Sequence, residues 1–384
     1  MVAIRTLAAG GIRFLLLSAA GCSLSLLAAV LPEDRFDALY HSYDGGGVRI
    51  NGPSILARKS IGESSSVSAN YYVDSISSAS IDVVTSASRY DEERTERSLG
   101  VDYLRDNVMM SLGYTRSEEN DYLANTASFS ISQDMFGDLT TVSMGYSRGW
   151  DTVGKRGDED FAEDTARQNY RIGVSQVVSK NMLLDLSLET VTDEGYLNNP
   201  YRSVRYLDPG SALGYSFEPE VYPRTRDSNA FAIKALYYLP YRASFSAGYR
   251  YFTDSWGVRA DTYEIGYTHP TERRWIFDIT YRLYSQNHAD FYSDLFPRQQ
   301  AQNFLARDKE LSTFSSTAIG LGASYELAPG TCSCIDKGAL TLSYERIHFT
   351  YDDFRDISNG GAPGEEPFYD FNADVLQLYL SVWY

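Results

Sequence analysis

The segment Leu376-Gln-Leu-Tyr-Leu-Ser-Val-Trp-Tyr384 alternates strictly and stops on an aromatic residue. Leu376, Leu378, Leu380, Val382 and Tyr384 share one face; Gln377, Tyr379, Ser381 and Trp383 share the other. A period of two defines a β-strand with one apolar and one mixed face. Chain ends ordinarily fray, so a soluble domain seldom finishes on its most apolar strand. A membrane barrel has reason to do so, because its last strand must pair with its first to leave no open edge in lipid. A soluble sandwich remains the competing reading of the tail taken alone, and the rest of the chain decides.

Similar alternation recurs. Trp275, Phe277, Ile279, Tyr281 and Leu283 interleave with Ile276, Asp278, Thr280, Arg282 and Tyr284, and Leu340, Leu342 and Tyr344 oppose Thr341, Ser343 and Glu345. Either fold would show it. Segment length separates them: many of these runs reach about 10 to 15 residues, against the ~5–6 of soluble strands. Short turns at residues 105–107, 136–138, 179–181, 239–241 and 269–271 take turns with longer connections near 77–93, 151–163, 194–226, 287–310 and 351–371. Short turns at one end and long loops at the other mark an outer-membrane barrel.

Composition agrees. The 31 tyrosines and 29 glycines suit aromatic girdles and tight turns, and mean hydropathy is negative because alternating strands average out. Beyond the N-terminal segment no stretch is apolar enough for a spanning helix. A net charge of −17 argues against nucleic acid as a partner.

The N-terminus has the layout of a secretory signal peptide: Arg5 and Arg13, an apolar run from Phe14 to Leu31, and Ala28-Ala29. Cleavage is expected near Ala29, giving a signal peptide over 1–29. A retained helix and a lipoprotein modified at Cys22 are the competing readings. Residues 30–64 contain Asp44-Gly-Gly-Gly-Val48 and Gly52-Pro53 and read as a turn-rich lead-in, periplasmic or docked in the lumen. Residues 65–384 are then an all-β, antiparallel transmembrane barrel of about 14 strands, with 16 as the alternative if Ser54–Ser60 and one further strand join the sheet.

The ending Leu380, Val382, Trp383, Tyr384 resembles the aromatic C-terminal insertion signal of outer-membrane proteins, which implies the barrel-assembly machinery as a partner alongside outer-membrane lipid and lipopolysaccharide. The phrases Leu31-Pro-Glu-Asp-Arg-Phe-Asp-Ala-Leu-Tyr-His-Ser-Tyr-Asp-Gly-Gly-Gly-Val48, Asp193-Glu-Gly-Tyr-Leu-Asn-Asn-Pro-Tyr-Arg-Ser-Val-Arg205, Ala289-Asp-Phe-Tyr-Ser-Asp-Leu-Phe296 and Ala306-Arg-Asp-Lys-Glu-Leu-Ser-Thr-Phe314 resemble the bacterial family called domain of unknown function 3570. That resemblance implies an outer-membrane-like β-protein of Gram-negative bacteria and carries over no catalytic residue.

The lumen-facing candidates are Arg171, Asp185, Glu189, Arg250, Glu264, Asp278, Arg282 and Glu345, a set of both signs that would tune a channel or fill a closed barrel. Cys332 and Cys334, in Thr331-Cys-Ser-Cys-Ile335, are read as a tight disulfide or a redox pair within reach of a periplasmic thiol or flavin-linked partner. Of the four histidines, only His288 and His348 suit an outer catalytic site, with Asp290, Asp294 or Asp352 as partners. The clusters Asp158-Glu-Asp160, Asp352-Asp353 and Glu365-Glu366 lack calcium-loop spacing, and neither a metal nor a cofactor is expected. The leading functional expectation is a passive channel or transport scaffold for a small solute. A non-conducting barrel with a redox partner comes second and an outer-membrane hydrolase third.

Overall fold

The computed structural model describes residues 30–78, 90–327 and 335–384. Its strands are β1 (Arg35–Gly45), β2 (Val48–Ile61), β3 (Ser65–Ser78), β4 (Tyr90–Arg105), β5 (Val108–Glu118) and β6 (Tyr122–Met135). They continue with β7 (Thr140–Lys155), β8 (Asp158–Ser179), β9 (Met182–Gly195), β10 (Ser203–Leu207), β11 (Tyr215–Pro219) and β12 (Thr225–Tyr238). The last are β13 (Ser244–Asp254), β14 (Arg259–Pro270), β15 (Trp275–Gln286), β16 (Phe314–Leu327), β17 (Lys337–Arg355) and β18 (Phe368–Trp383). Sixteen of these close into one antiparallel barrel, while β10 and β11 form a separate hairpin.

Closure runs through the C-terminal strand. β18 pairs with β1 from Arg35↔Trp383 to Gly45↔Ala373, and with β17 on its other side. The count is therefore sixteen rather than fourteen, and the sheet begins at Arg35. The supposed lead-in is two barrel strands. Its Asp44-Gly-Gly-Gly-Val48 run is a hairpin turn in which Gly46 and Gly47 take φ of +58° and +76°, the left-handed conformation that a two-residue hairpin turn of type I′ demands. Gly52-Pro53 is likewise no turn. The β2–β3 ladder skips these two residues and resumes at Ser54↔Tyr72, so the proline occupies a position where no ladder hydrogen bond is needed.

The rim holding Arg35 and Trp383 carries the short turns; the far rim carries the long loops. One connection differs from expectation. Residues 151–163 form the ends of β7 and β8, joined by a tight turn at Arg156-Gly157 where Gly157 has φ +84°. The signal peptide expected over 1–29, the β3–β4 connection and Cys332 and Cys334 lie outside the described residues.

The outer face explains why such a sheet is stable. Leu99, Leu112, Ile172, Leu188, Ile279 and Leu378 all point outward and are between about 44 and 63% exposed. On β15 the apolar stretch runs from Trp275 to Leu283, which at ~3.3 Å per residue and a ~40° tilt rises roughly 20–25 Å, the height of a hydrocarbon layer. Leaving each such side chain in water forgoes roughly 1.5–3 kcal/mol, so a belt of this extent requires a nonaqueous surrounding. Aromatic residues edge the belt: Tyr40, Tyr71, Tyr114, Tyr146 and Tyr263 towards the far rim, Tyr103, Tyr237, Trp275 and Tyr384 towards the terminal rim. Amphipathic rings suit the two interfaces of a bilayer. A groove of about 440 Å³ between Tyr267, Phe277, Ile279, Leu321, Leu342 and Tyr344 lies within this belt, where its apolar walls fit acyl chains.

Candidate functional site: a charged lumen under a folded cap

Strand parity places all eight sequence candidates on the inner face. Leu186 and Leu188 are exposed outward, so Asp185 and Glu189 point inward; Ile279, Tyr281 and Leu283 do the same for Asp278 and Arg282. Arg171 donates to Glu189 at 2.7 Å, and the guanidinium of Arg250 lies 3.7 Å from the other oxygen of the same carboxylate. Arg282 donates to Glu345 at 2.9 Å, Lys234 stands 3.7 Å from Glu264, and Asp278 accepts from Thr268 Oγ1 at 2.6 Å. Asp185 stands opposite Lys234 in the register.

Three of these pairs skip a strand, and each passes over a residue with little or no side chain. Lys234 and Glu264 both stand opposite Gly248. Arg282 faces Ala318, and Glu345 faces Gly320. Glu189 faces Ala230, and Arg250 faces Ala232. The same device appears away from the predicted set: His41 Nε2 contacts Asp74 Oδ1 at 2.6 Å across β2, where Gly52 lies between them. A Cβ on Gly52 would sit 1.9 Å from the Val73 carbonyl oxygen, so only glycine permits this approach. Tyr72 stacks on the His41 ring at 4.9 Å and Arg94 pairs with Asp74, completing a buried polar knot in the wall.

The lumen is wetted where the paired charges lie. The side chains of Arg171 and Lys234 remain 53% and 48% exposed although they point inward. Sixteen strands enclose more space than their own side chains fill.

Above this charged zone the far-rim loops fold over the opening. Val221 and Leu305 exchange backbone hydrogen bonds of 2.9 and 2.8 Å, and Phe296 does the same with Arg205 and Leu207 at 2.9 Å. Tyr222, Trp256 and Phe291 meet with ring centroids 5.1 to 5.5 Å apart. They belong to an apolar core that also takes Ile347, Phe349, Tyr351 and Val375 from the inner faces of β17 and β18. This cap has its own hydrophobic core, continuous with the wall.

Charges lock it. Arg205 is fully buried; it pairs with Asp294 and with both oxygens of Glu366, and its Nε donates to the Asp294 carbonyl at 2.9 Å. Arg307 reaches Asp294 Oδ1 at 3.0 Å and lies 4.5 Å over the Phe354 ring. Burial works against the charge of Arg205, but its bonds to Glu366 and Asp294 prevail and raise its pKa; burial also opposes ionisation of Glu366, where Arg205 prevails and lowers it. Glu220 behaves oppositely. Full burial, with Asp308 close by, pushes its carboxyl up to about 7 despite Arg202 and hydrogen bonds from Tyr222 and the Arg307 amide. The sequence named Asp294 only as a partner for a histidine and Glu366 only within an acidic cluster; their pairing with Arg205 was not legible, because the three residues lie on different loops.

The catalytic candidates do not assemble. His288 Nδ1 contacts both Asp353 Oδ2, at 2.8 Å, and Thr313 Oγ1, at 3.1 Å. A relay needs the orienting carboxylate and the nucleophile on opposite ring nitrogens. The expected partners are engaged elsewhere or not used: Asp294 serves Arg205 and Arg307, and Asp353 takes the place foreseen for Asp352 or Asp290. His348 sits on β17 beside Asn372 at 3.2 Å. Trp383 and Tyr384 lie at the terminal rim, where Lys337 and Lys59 stand 4.9 and 4.8 Å from the respective ring centroids.

Fold, belt and loop asymmetry together define a closed antiparallel barrel of the outer-membrane kind. The chain belongs to the family described as Protein of unknown function (DUF3570), which matches residues 85–337. Among solved structures it is similar to a bacterial polysaccharide outer-membrane secretin, at 9% identity and a TM-score of 0.50, covering 93% of this chain and 99% of that one. It is also similar to OmpT of Vibrio cholerae, at 10% identity, a TM-score of 0.43 and coverage of 91% and 99%. A Pseudomonas aeruginosa FadL homologue is similar at 9% identity, a TM-score of 0.42 and coverage of 91% and 90%. At these identities the likeness concerns the fold. No curated protein matches the sequence.

Proposed function

We propose that this protein resides in the outer membrane of a Gram-negative bacterium, after export by its N-terminal signal, and acts there as a capped channel for a small polar solute. One observation carries the reading: a sixteen-stranded wall encloses a wetted, charge-paired lumen that its own side chains do not fill. The wall mixes charges of both signs, favouring a polar or zwitterionic solute over a strongly charged one. The cap controls access from the far rim, and the terminal rim opens to the periplasm.

Reconstitution of the purified protein in planar bilayers tests this. Native protein should show small or intermittent conductance, and a variant with the cap contacts broken (Arg205→Ala with Arg307→Ala) should show larger, steadier steps. Silence from both, with folded protein confirmed by its heat-modifiable mobility, would remove the channel reading. Deleting residues 30–64 is no substitute, because that excises β1 and β2 and opens the barrel.

A further inference from the structure

Arg97 and Arg116 stand directly opposite each other on the neighbouring strands β4 and β5. Both point away from the lumen, since Arg97 shares its face with the exposed Leu99 and Val101, and Arg116 with the exposed Leu112 and Tyr114. On β7, Arg148 projects from the same outer face between Tyr146 and Trp150. The register runs Arg97, Arg116, Asn125, Trp150 from β4 to β7, which puts Arg148 roughly 12 Å from Arg116 at ordinary sheet spacing. Between these two arginines Tyr114 and Trp150 meet with centroids 6.3 Å apart, and Tyr114 donates its hydroxyl to Asn125 at 2.8 Å. The patch lies where the apolar belt ends towards the far rim.

Like charges set opposite each other weaken a strand pair. Elsewhere on this part of the outer face the opposite choice is made: Arg49 stands across from Asp44, and Arg346 across from Asp374, each within ion-pair distance. Arg116 has Glu118 at 2.6 Å along its own strand, but the pair is about half exposed and leaves the guanidinium open to a further partner. Arg97 and Arg148 are exposed, and neither makes an ion pair among the described residues. Across from Arg148 is Gln168, a neutral group whose oxygen already accepts from the Tyr146 and Tyr170 hydroxyls. In a chain of net charge −17, three arginines gathered at the edge of the hydrocarbon belt are matched to an anion.

We propose that Arg97, Arg116 and Arg148 bind the phosphorylated headgroup of lipopolysaccharide in the outer leaflet. The guanidinium fork takes phosphate through two parallel hydrogen bonds, and an arginine stem lies along apolar surface while its head reaches the boundary. Leu99 and Leu112 meet the acyl chains, Tyr114 and Trp150 present amphipathic rings at the level of the sugar, and the guanidinium groups take the phosphates. One phosphate between Arg97 and Arg116 converts their repulsion into a bridge; the distance to Arg148 suits a headgroup carrying a second. The site rests on the outer-membrane orientation proposed above and is independent of conduction. A silent barrel can bind and a conducting one can fail to, so the two readings fail separately.

Titration of delipidated, detergent-folded protein with diphosphoryl lipid A, followed by native mass spectrometry, tests the proposal. One saturable molecule is expected per barrel. Arg97→Gln should weaken it about tenfold, the ordinary worth of one charge-assisted hydrogen bond, and the triple change of Arg97, Arg116 and Arg148 to glutamine should weaken it far more. Arg346→Gln should leave it unchanged. Without lipid A, Arg97→Gln should melt higher than native protein because the opposed charge is gone; on addition of lipid A it should gain less. If the triple variant fails to close, as read by heat-modifiable mobility, the three single variants are compared in the same titration. Absence of saturable binding, or binding that the glutamine variants leave intact, would overturn the site. Phosphatidylglycerol or monophosphoryl lipid A binding as tightly as the diphosphoryl form would overturn its assignment to a two-phosphate glycolipid.

Discussion

Arg205 and Glu366 stand 161 residues apart in the chain, yet the two terminal nitrogens of the guanidinium address the two oxygens of that one carboxylate in a fully buried contact. Bidentate geometry of this kind both orients and strengthens a pair. Asp294 completes it, so three separate far-rim loops share one charge centre.

Removing one member should therefore do more than remove a bond. Arg205→Ala leaves Glu366 buried without its cation and Asp294 with Arg307 alone, and breaking a buried pair typically costs about 3–5 kcal/mol. The barrel should survive, because its ladders do not involve these residues. Limited proteolysis is expected to cut within 287–313 much faster in the variant while the strands remain protected; an unchanged digestion pattern would show that the network does not hold the cap.

The cap should also respond to pH. The folded-state pKa of Glu220 is raised to about 7, so its contribution to stability is fully present below the unfolded value near 4.5 and is lost as pH rises through 7. Glu366 is lowered, so its contribution is present above that unfolded value and is lost as pH falls through its folded pKa. Cap protection, read by hydrogen exchange in 196–224 and 287–313, should be greatest near pH 4.5 and weaken between about pH 4.5 and 7, levelling above that. Glu220→Gln should flatten that upper limb; persistence of the same slope would assign it to another group.

In the lumen, Glu189 sits between Arg171 and Arg250. Replacing it with glutamine leaves two cations facing each other, and the reversal potential in a KCl gradient should move towards anion preference. Glu345→Gln frees Arg282 and should move it the same way, whereas Arg282→Gln should move it towards cations. Three variants with one common potential would mean that ions do not pass these residues.

Leu378 lies mid-belt on the closing strand. Leu378→Arg should destabilise the barrel by about 2–4 kcal/mol in denaturant titration, as charges at the lipid midplane do, while arginine at the neighbouring inward Ser381 should cost far less. Equal costs would place Leu378 away from lipid. Deleting Tyr384 should lower the yield of assembled barrel in cells more than it lowers the stability of barrel already folded, if the aromatic ending acts as an insertion signal.

The alternation of β15, β17 and β18 was readable directly, because inward and outward faces meet different solvents at every second residue. So was the inward placement of Arg171, Glu189, Arg250 and Arg282. β1 and β2 were not, for two local reasons. Glycine at 45–47 and Gly52-Pro53 are turn residues by propensity, and neither reveals that one makes a hairpin while the other only fills a gap in the ladder. Glycine and alanine opposite charged residues, as at Gly248 and Gly320, were visible in the sequence but acquire meaning only with the register.

By itself, the sequence determined a closed antiparallel barrel with an apolar outside, a charged inside and its short turns at the terminal end, since each is a property of residues adjacent in one strand or one turn. Only the tertiary structure decided that sixteen strands close, that Arg205 joins Asp294 to Glu366, and that Arg148 shares an outer face with Arg97 and Arg116. Those are relations between segments far apart in the chain. Their energies depend on burial, register and distance, none of which a local pattern encodes.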